Sequence, residues 1–216
     1  MWRSCARTRP AEGNRAGATK ATVSVRRMGR MMPVSEADGK LNMHFVCTPA
    51  EARRLVEEHS RFWVERCGCR EGQAKKGAPC RRSRPDVCLQ FALGVVDTER
   101  EIPKAEALLR EAVKKGLVAR PFRDLKQPGK IDGICLCCDC CCGYFLDPEE
   151  ACDKGAFAET TDLDACTQCG DCAPACFFGA RTMSDGELRV DREKCYGCGL
   201  CAEVCPPECV EMVGGP

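Results

Sequence analysis

Cys166-Thr-Gln-Cys169-Gly-Asp-Cys172-Ala-Pro-Ala-Cys176 and Cys195-Tyr-Gly-Cys198-Gly-Leu-Cys201-Ala-Glu-Val-Cys205 place eight thiols in two runs of the same spacing. The x2 gaps let one turning loop present three thiolates to three corners of an inorganic cube. The x3 gap starts a helical turn that directs the fourth thiol away, so two copies of the run complete each other. Cys166, Cys169, Cys172 and Cys205 are then the ligands of one 4Fe-4S cluster, and Cys195, Cys198, Cys201 and Cys176 those of a second. Zinc also suits four thiolates, but structural zinc sites draw paired cysteines from two knuckles, whereas each run here offers three plus one.

The residues around the ligands repeat as well. At an offset of 29, Asp162 matches Asp191, Gly170 matches Gly199, Ala173 matches Ala202 and Met183 matches Met212. Such an internal repeat predicts two pseudo-symmetric halves. Between the runs, Arg181 to Val190 reads as two short strands around Asp185-Gly186, a hairpin signal.

Residues 159–213 thus resemble the bacterial two-cluster ferredoxin family over about the last quarter of the chain. The resemblance implies a compact double ββα-like unit that buries both clusters and works as a one-electron carrier or relay. Two positions depart from the family pattern: Phe177 stands where a proline usually follows the fourth cysteine, and Cys209 adds a thiol at the repeat position of Ala180.

Upstream, Thr48-Pro49-Ala50-Glu51 supplies an N-cap, a proline at N1 and a capping-box glutamate, and predicts an amphipathic helix to about Arg66. It leads into Cys67-x-Cys69-x10-Cys80-x7-Cys88, read as a candidate third site for a 4Fe-4S cluster or zinc. The alternative is four reduced cysteines acting as small hydrophobes. A second helix is predicted over Ile102–Lys115, stopped by Gly116, with a short strand after it. Six cysteines then crowd into residues 135–142. On an extended backbone Cys135, Cys137 and Cys141 face one way and Cys138, Cys140 and Cys142 the other. This segment bridges two sites, feeds an unusual cluster, completes the site begun at Cys67, or is a thiol patch without metal. It and the upstream Cys-x-Cys-Arg70 are similar to uncharacterised ferredoxin-like proteins of anaerobes.

The expected architecture is α+β: a basic disordered tail at 1–42, a mainly helical Cys-rich domain at 43–133, a Cys-rich connector at 134–158 and the two-cluster domain at 159–216. Net charge is +1, yet residues 1–142 carry 28 Lys and Arg against 17 Asp and Glu, and residues 143–216 carry 5 against 15. The acidic module is expected to meet a redox protein partner. The basic charges are spread and helical in pattern, which reads as a solvated surface before a nucleic-acid site.

Twenty-two cysteines without a signal peptide or a long apolar run point to a reducing cytoplasm, in an anaerobe, and to no membrane span. There is no nucleotide fingerprint, and His44 and His59 are the two histidines. No catalytic residue is assigned. The chain reads as an electron carrier or a relay component of a redox complex more than as a stand-alone enzyme. A redox- or metal-sensing regulator with a nucleic-acid-binding half, and a cluster-bearing subunit of a redox enzyme, stand as the alternatives.

Overall fold

The capping box at Thr48 forms. In the computed structural model, which describes residues 41–59, 62–91, 98–124, 126, 127, 129–147 and 150–215, the Glu51 amide donates to Thr48 Oγ1 at 3.1 Å and the Thr48 amide to Glu51 Oε2 at 2.8 Å. The tail assigned to 1–42 lies outside the described residues except for Leu41 and Asn42. The helix that Thr48 caps, α1 (Pro49–Glu58), ends earlier than the sequence reading to Arg66. Phe62 to Arg66 is instead a strand, β1 (Phe62–Arg66), because aromatic and β-branched residues follow one another there, with Phe62 buried and Trp63 45% exposed.

The chain continues through α2 (Gly68–Lys75), β2 (Asp86–Phe91), α3 (Thr98–Lys114), β3 (Val118–Arg123), β4 (Ile131–Cys137) and the short α4 (Gly143–Leu146). Strands β1, β2, β4 and β3 form, in that order, one antiparallel sheet. The part expected to be mainly helical is therefore organised around a sheet. Its strands are short and carry cysteines where an apolar alternation would otherwise announce them.

Register divides this sheet into two unlike faces. Leu89 pairs with Ile134 and Ala119 with Leu136, and these residues pack with Ala52 and Val56 of α1 and Leu108, Leu109 and Ala112 of α3 in the main core. On the opposite face Arg120 pairs with Cys135, Val118 with Cys137 and Glu65 with Cys88. Because side chains alternate along a strand, the same residues that bury a core on one side display thiols on the other.

The rest of the chain holds β5 (Phe157–Thr161), β6 (Arg181–Ser184), β7 (Glu187–Val190), α5 (Leu200–Glu203) and β8 (Val210–Gly214). The hairpin read from Asp185-Gly186 is the β6–β7 pair, with both turn residues at positive φ (54° and 83°). Strand β5 pairs with β8, and the 29-residue offset carries one pair into the other. Thr161 opposes Val210 as Val190 opposes Arg181, and the Asp162 amide donates to Cys209 O as the Asp191 amide donates to Ala180 O.

The two parts meet on the thiol-bearing side of the sheet. Val46, Val118, Cys152, Cys198 and Leu200 form a shared apolar cluster, and the Gly155 amide donates to Tyr196 O at 2.9 Å. Nearby, Arg123 donates to Asp153 Oδ2 at 2.8 Å and to Asn42 O at 2.6 Å, with Arg123 and Asp153 both buried. Replacing Asp153 with Ala leaves a buried guanidinium without its counter-charge. The expected cost is about 3–5 kcal/mol, read as a lower denaturant midpoint of the anaerobically purified chain.

Candidate metal centres

Each cysteine run sits on a loop built from left-handed residues. Gln168 (φ 54°) and Gly170 (φ 79°) flank Cys169, and Gly197 (φ 76°) and Gly199 (φ 73°) flank Cys198. Turns of this kind gather backbone N–H groups into concavities that favour anions. One cavity is lined by Cys166, Cys169, Cys172 and Cys205, and another by Cys195, Cys198, Cys201 and Cys176. Three thiols from one run and the fourth from the other thus share each cavity. Cys209, the extra thiol, borders the first, with its sulfur 3.5 Å from that of Cys205.

Arg181 lines both cavities. It is 2% exposed, and its Nη2 donates to Glu159 Oε2 and Thr161 Oγ1, while Nε and Nη1 have no hydrogen-bond partner among the described residues. A buried guanidinium with spare donors beside rings of thiols fits an anionic, sulfur-rich group such as an iron-sulfur cluster. Burial pushes the Cys198 thiol up to about 12 and the Cys201 thiol up to about 11, so both carry protons at neutral pH until a metal displaces them.

Ten of the upstream cysteines gather into two further groups. Cys67, at the N-cap of α2, joins Cys69, Cys88, Cys135, Cys137 and Cys142 around a cavity of about 100 Å³ that Cys138, Cys141, His44, Arg70 and Arg120 also line. Neighbouring thiols perturb one another in the ring order 67, 69, 142, 137, 135, 88. That coupling pushes Cys67, Cys135 and Cys142 above the ordinary thiol range and pulls Cys69, Cys88 and Cys137 below it. Arg120, 2% exposed, donates to Cys142 Sγ at 3.2 Å and to Cys152 Sγ at 3.3 Å, and its guanidinium lies 4.2 Å from the centre of the Tyr144 ring.

The second group is Cys80, Cys138, Cys140 and Cys141, whose sulfurs all lie within 4.8 Å of one another. The four residues read as one third site are therefore parted: Cys67, Cys69 and Cys88 stay together, and Cys80 stands with the turn after β4. The extended alternation expected over 135–142 likewise stops at Cys137, where β4 ends and the Cys142 amide closes back onto Cys138 O at 3.2 Å. This turn sends Cys142 to the side of Cys135 and Cys137, and Cys141 to that of Cys138 and Cys140.

Residues 158–206 match the family model of the 4Fe-4S dicluster domain. The module is thus of the ferredoxin type. The chain is 38% identical over 56 residues to the PorD subunit of pyruvate synthase from Methanothermobacter marburgensis, covering 26% of this chain and 65% of the relative. It is 32% identical over 60 residues to a subunit of the ion-translocating oxidoreductase complex of Methanosarcina acetivorans, covering 28% and 23%. An iron-sulfur protein of Rhodospirillum rubrum is 44% identical over 43 residues, covering 19% and 23%. The chain spans less than two thirds of the length of each of these curated relatives.

Around the cysteine groups, sequence reasoning gave no site role to His44, whose Nε2 is 3.8 Å from Cys135 Sγ, or to the buried arginines Arg70, Arg120 and Arg181. Arg120 did leave a signal, a lone charge inside the apolar stretch Leu117 to Phe122. A contrast between two loop glycines tests the backbone design. A Cβ at Gly170 meets the flexible Met183 side chain at 3.3 Å, whereas one at Gly197 meets Phe157 O at 2.1 Å. Gly170→Ala is expected to cost about 1–2 kcal/mol for the left-handed conformation. Gly197→Ala adds a backbone collision, so its thermal midpoint falls further.

Proposed function

We propose that this chain is an iron-sulfur electron-transfer protein or relay subunit that holds two 4Fe-4S clusters, one on Cys166, Cys169, Cys172 and Cys205 and one on Cys195, Cys198, Cys201 and Cys176. The observation that carries the reading is the sharing of each cavity by three thiols of one run and the fourth of the other. When bound, such clusters take up and release single electrons. The chain supplies the thiolate ligands, the left-handed loops, the buried Arg181 charge and partly apolar cavity walls, with Cys169 at the exposed edge. We take residues 159–216 as the unit that does this.

The six-thiol cavity is the place we assign to a further metal-sulfur centre, because it offers more ligands than a single ion needs and lies beside Arg120. Packed rings connect it to the ferredoxin-type module. Tyr144 lies under Arg120, 6.2 Å from the Phe178 ring, and Phe178 stacks on Tyr196 at 4.5 Å, next in sequence to Cys195. This continuity supports a relay over a carrier with isolated centres.

The acidic charge of residues 143–216 suits a basic redox partner. The relatives named as oxidoreductase subunits make such a complex, in a reducing cytoplasm, our reading of its setting. No helix among the described residues is long and apolar enough to cross a membrane.

Paired substitutions test the crossed ligand sets. Cys205→Ala combined with Cys169→Ala is expected to strip only one cluster, about four irons, because both fall on the same site. Cys205→Ala combined with Cys198→Ala strips both, about eight. Iron and sulfide analysis with EPR of the reduced protein reads the result, and the opposite order overturns the assignment.

A further inference from the structure

Cys80, Cys138, Cys140 and Cys141 lie outside both cavities of the ferredoxin-type module and form a group beside the six-thiol ring, whose cavity Cys138 and Cys141 border on one side. Four of their six sulfur-to-sulfur distances are close to 3.8 Å, Cys80 to Cys138 3.7 Å, Cys80 to Cys140 3.8 Å, Cys138 to Cys140 3.7 Å and Cys140 to Cys141 3.7 Å, and all six are within 4.8 Å. A tetrahedron of thiolates around one ion, with metal–sulfur bonds of about 2.3 Å, has sulfur–sulfur edges of about 3.8 Å. A cubane cluster needs a wider set, since each thiolate there binds a different iron at its own corner. A disulfide needs sulfurs at about 2.05 Å, and all four cysteines are free.

We propose that these four cysteines bind a single tetrahedrally coordinated divalent ion, zinc or ferrous iron, in a site of its own. Tetrahedral four-thiolate sites take these metals, and a closed set with no open position serves structure. The surroundings are built for it. Cys138 and Cys141 are 1% and 2% exposed. Arg70 Nε donates to Cys80 Sγ at 3.4 Å, and so does the Ser83 amide at 3.4 Å, which lowers the negative charge left by four thiolates around a divalent ion. The Arg70 Nη2 reaches Leu136 O at 2.8 Å and ties the donor to β4.

A second link fixes the two segments at the right separation. Arg82, two residues past Cys80, forks onto Asp139, between Cys138 and Cys140, at 2.5 Å and 2.9 Å. The ion would thus join the loop after α2 to the turn after β4, segments about 60 residues apart in sequence. Its neighbour Arg82 also lies over the Phe177 ring at 4.5 Å, so the stitched corner borders the ferredoxin-type module.

The test uses the full chain, purified without oxygen. Zinc-edge X-ray absorption is expected to show four sulfur neighbours at about 2.3 Å and no nearby metal. Elemental analysis is expected to give one zinc per chain, lost in Cys140→Ala and kept in Cys69→Ala. Cluster iron, sulfide and visible absorption should hold in Cys140→Ala, which separates this site from the electron-transfer reading. Iron in place of zinc supports the site if one iron, unaccompanied by sulfide, disappears in the same variant. The proposal fails if the wild-type chain has no zinc and Cys140→Ala loses no iron, or if zinc survives the double change Cys80→Ala and Cys140→Ala.

Discussion

A thiol holds a metal as a thiolate, and a thiolate buried away from water is costly unless a positive charge or donor answers it. Much of this structure can be read as a response to that constraint. Arg70, Arg120 and Arg181 are each 2% exposed, and each lies against one of the cysteine groups. Each also keeps at least one buried nitrogen without a partner among the described residues. Such spare donors are expensive in a finished apolar core and sensible beside a site meant to receive negative charge. The Glu159–Arg181 pair shows the same economy, since Glu159 neutralises the guanidinium on one side and leaves the cavity side its donors.

The arginines depend in turn on strand register. Arg120 reaches the thiol face because it opposes Cys135, and the residues on either side of it face the main core. A slip of one residue in β3 would place a bare charge in that core and withdraw it from the thiols. Gathering so many cysteines on one sheet face also leaves little aliphatic surface there. Aromatic rings supply the packing instead: Tyr144, Phe145, Phe177, Phe178 and Tyr196 fill the boundary with the ferredoxin-type module. Phe177, which departs from the proline usual in the family, has a place in this arrangement, packed edge-on against Phe145 and under Arg82.

Legibility in the sequence followed the distance over which each feature is specified. The capping box at Thr48, the Asp185-Gly186 hairpin and the loops around Cys169 and Cys198 are each set within a few residues, and the structure shows them. The 29-residue repeat could be checked on neighbours before any fold was known. The four-stranded sheet was harder to see, because β1 continues a helical approach and because Cys88, Cys135 and Cys137 occupy positions that would otherwise carry polar residues. The break at Cys137 is followed by a turn, closed by the Cys142 amide on Cys138 O, which no alternation rule foretells.

By itself the sequence determined two duplicated thiol runs with their hairpin, the chemistry those thiols suit and the split between a basic and an acidic part, since spacing and charge are local properties. Only the tertiary structure decided the company of the remaining cysteines. It parted Cys80 from Cys67, Cys69 and Cys88, brought it to Cys138, Cys140 and Cys141, and set three arginines among the sulfurs. The physical reason is that these neighbours are chosen by sheet register and by where a strand ends, and both depend on contacts across scores of residues.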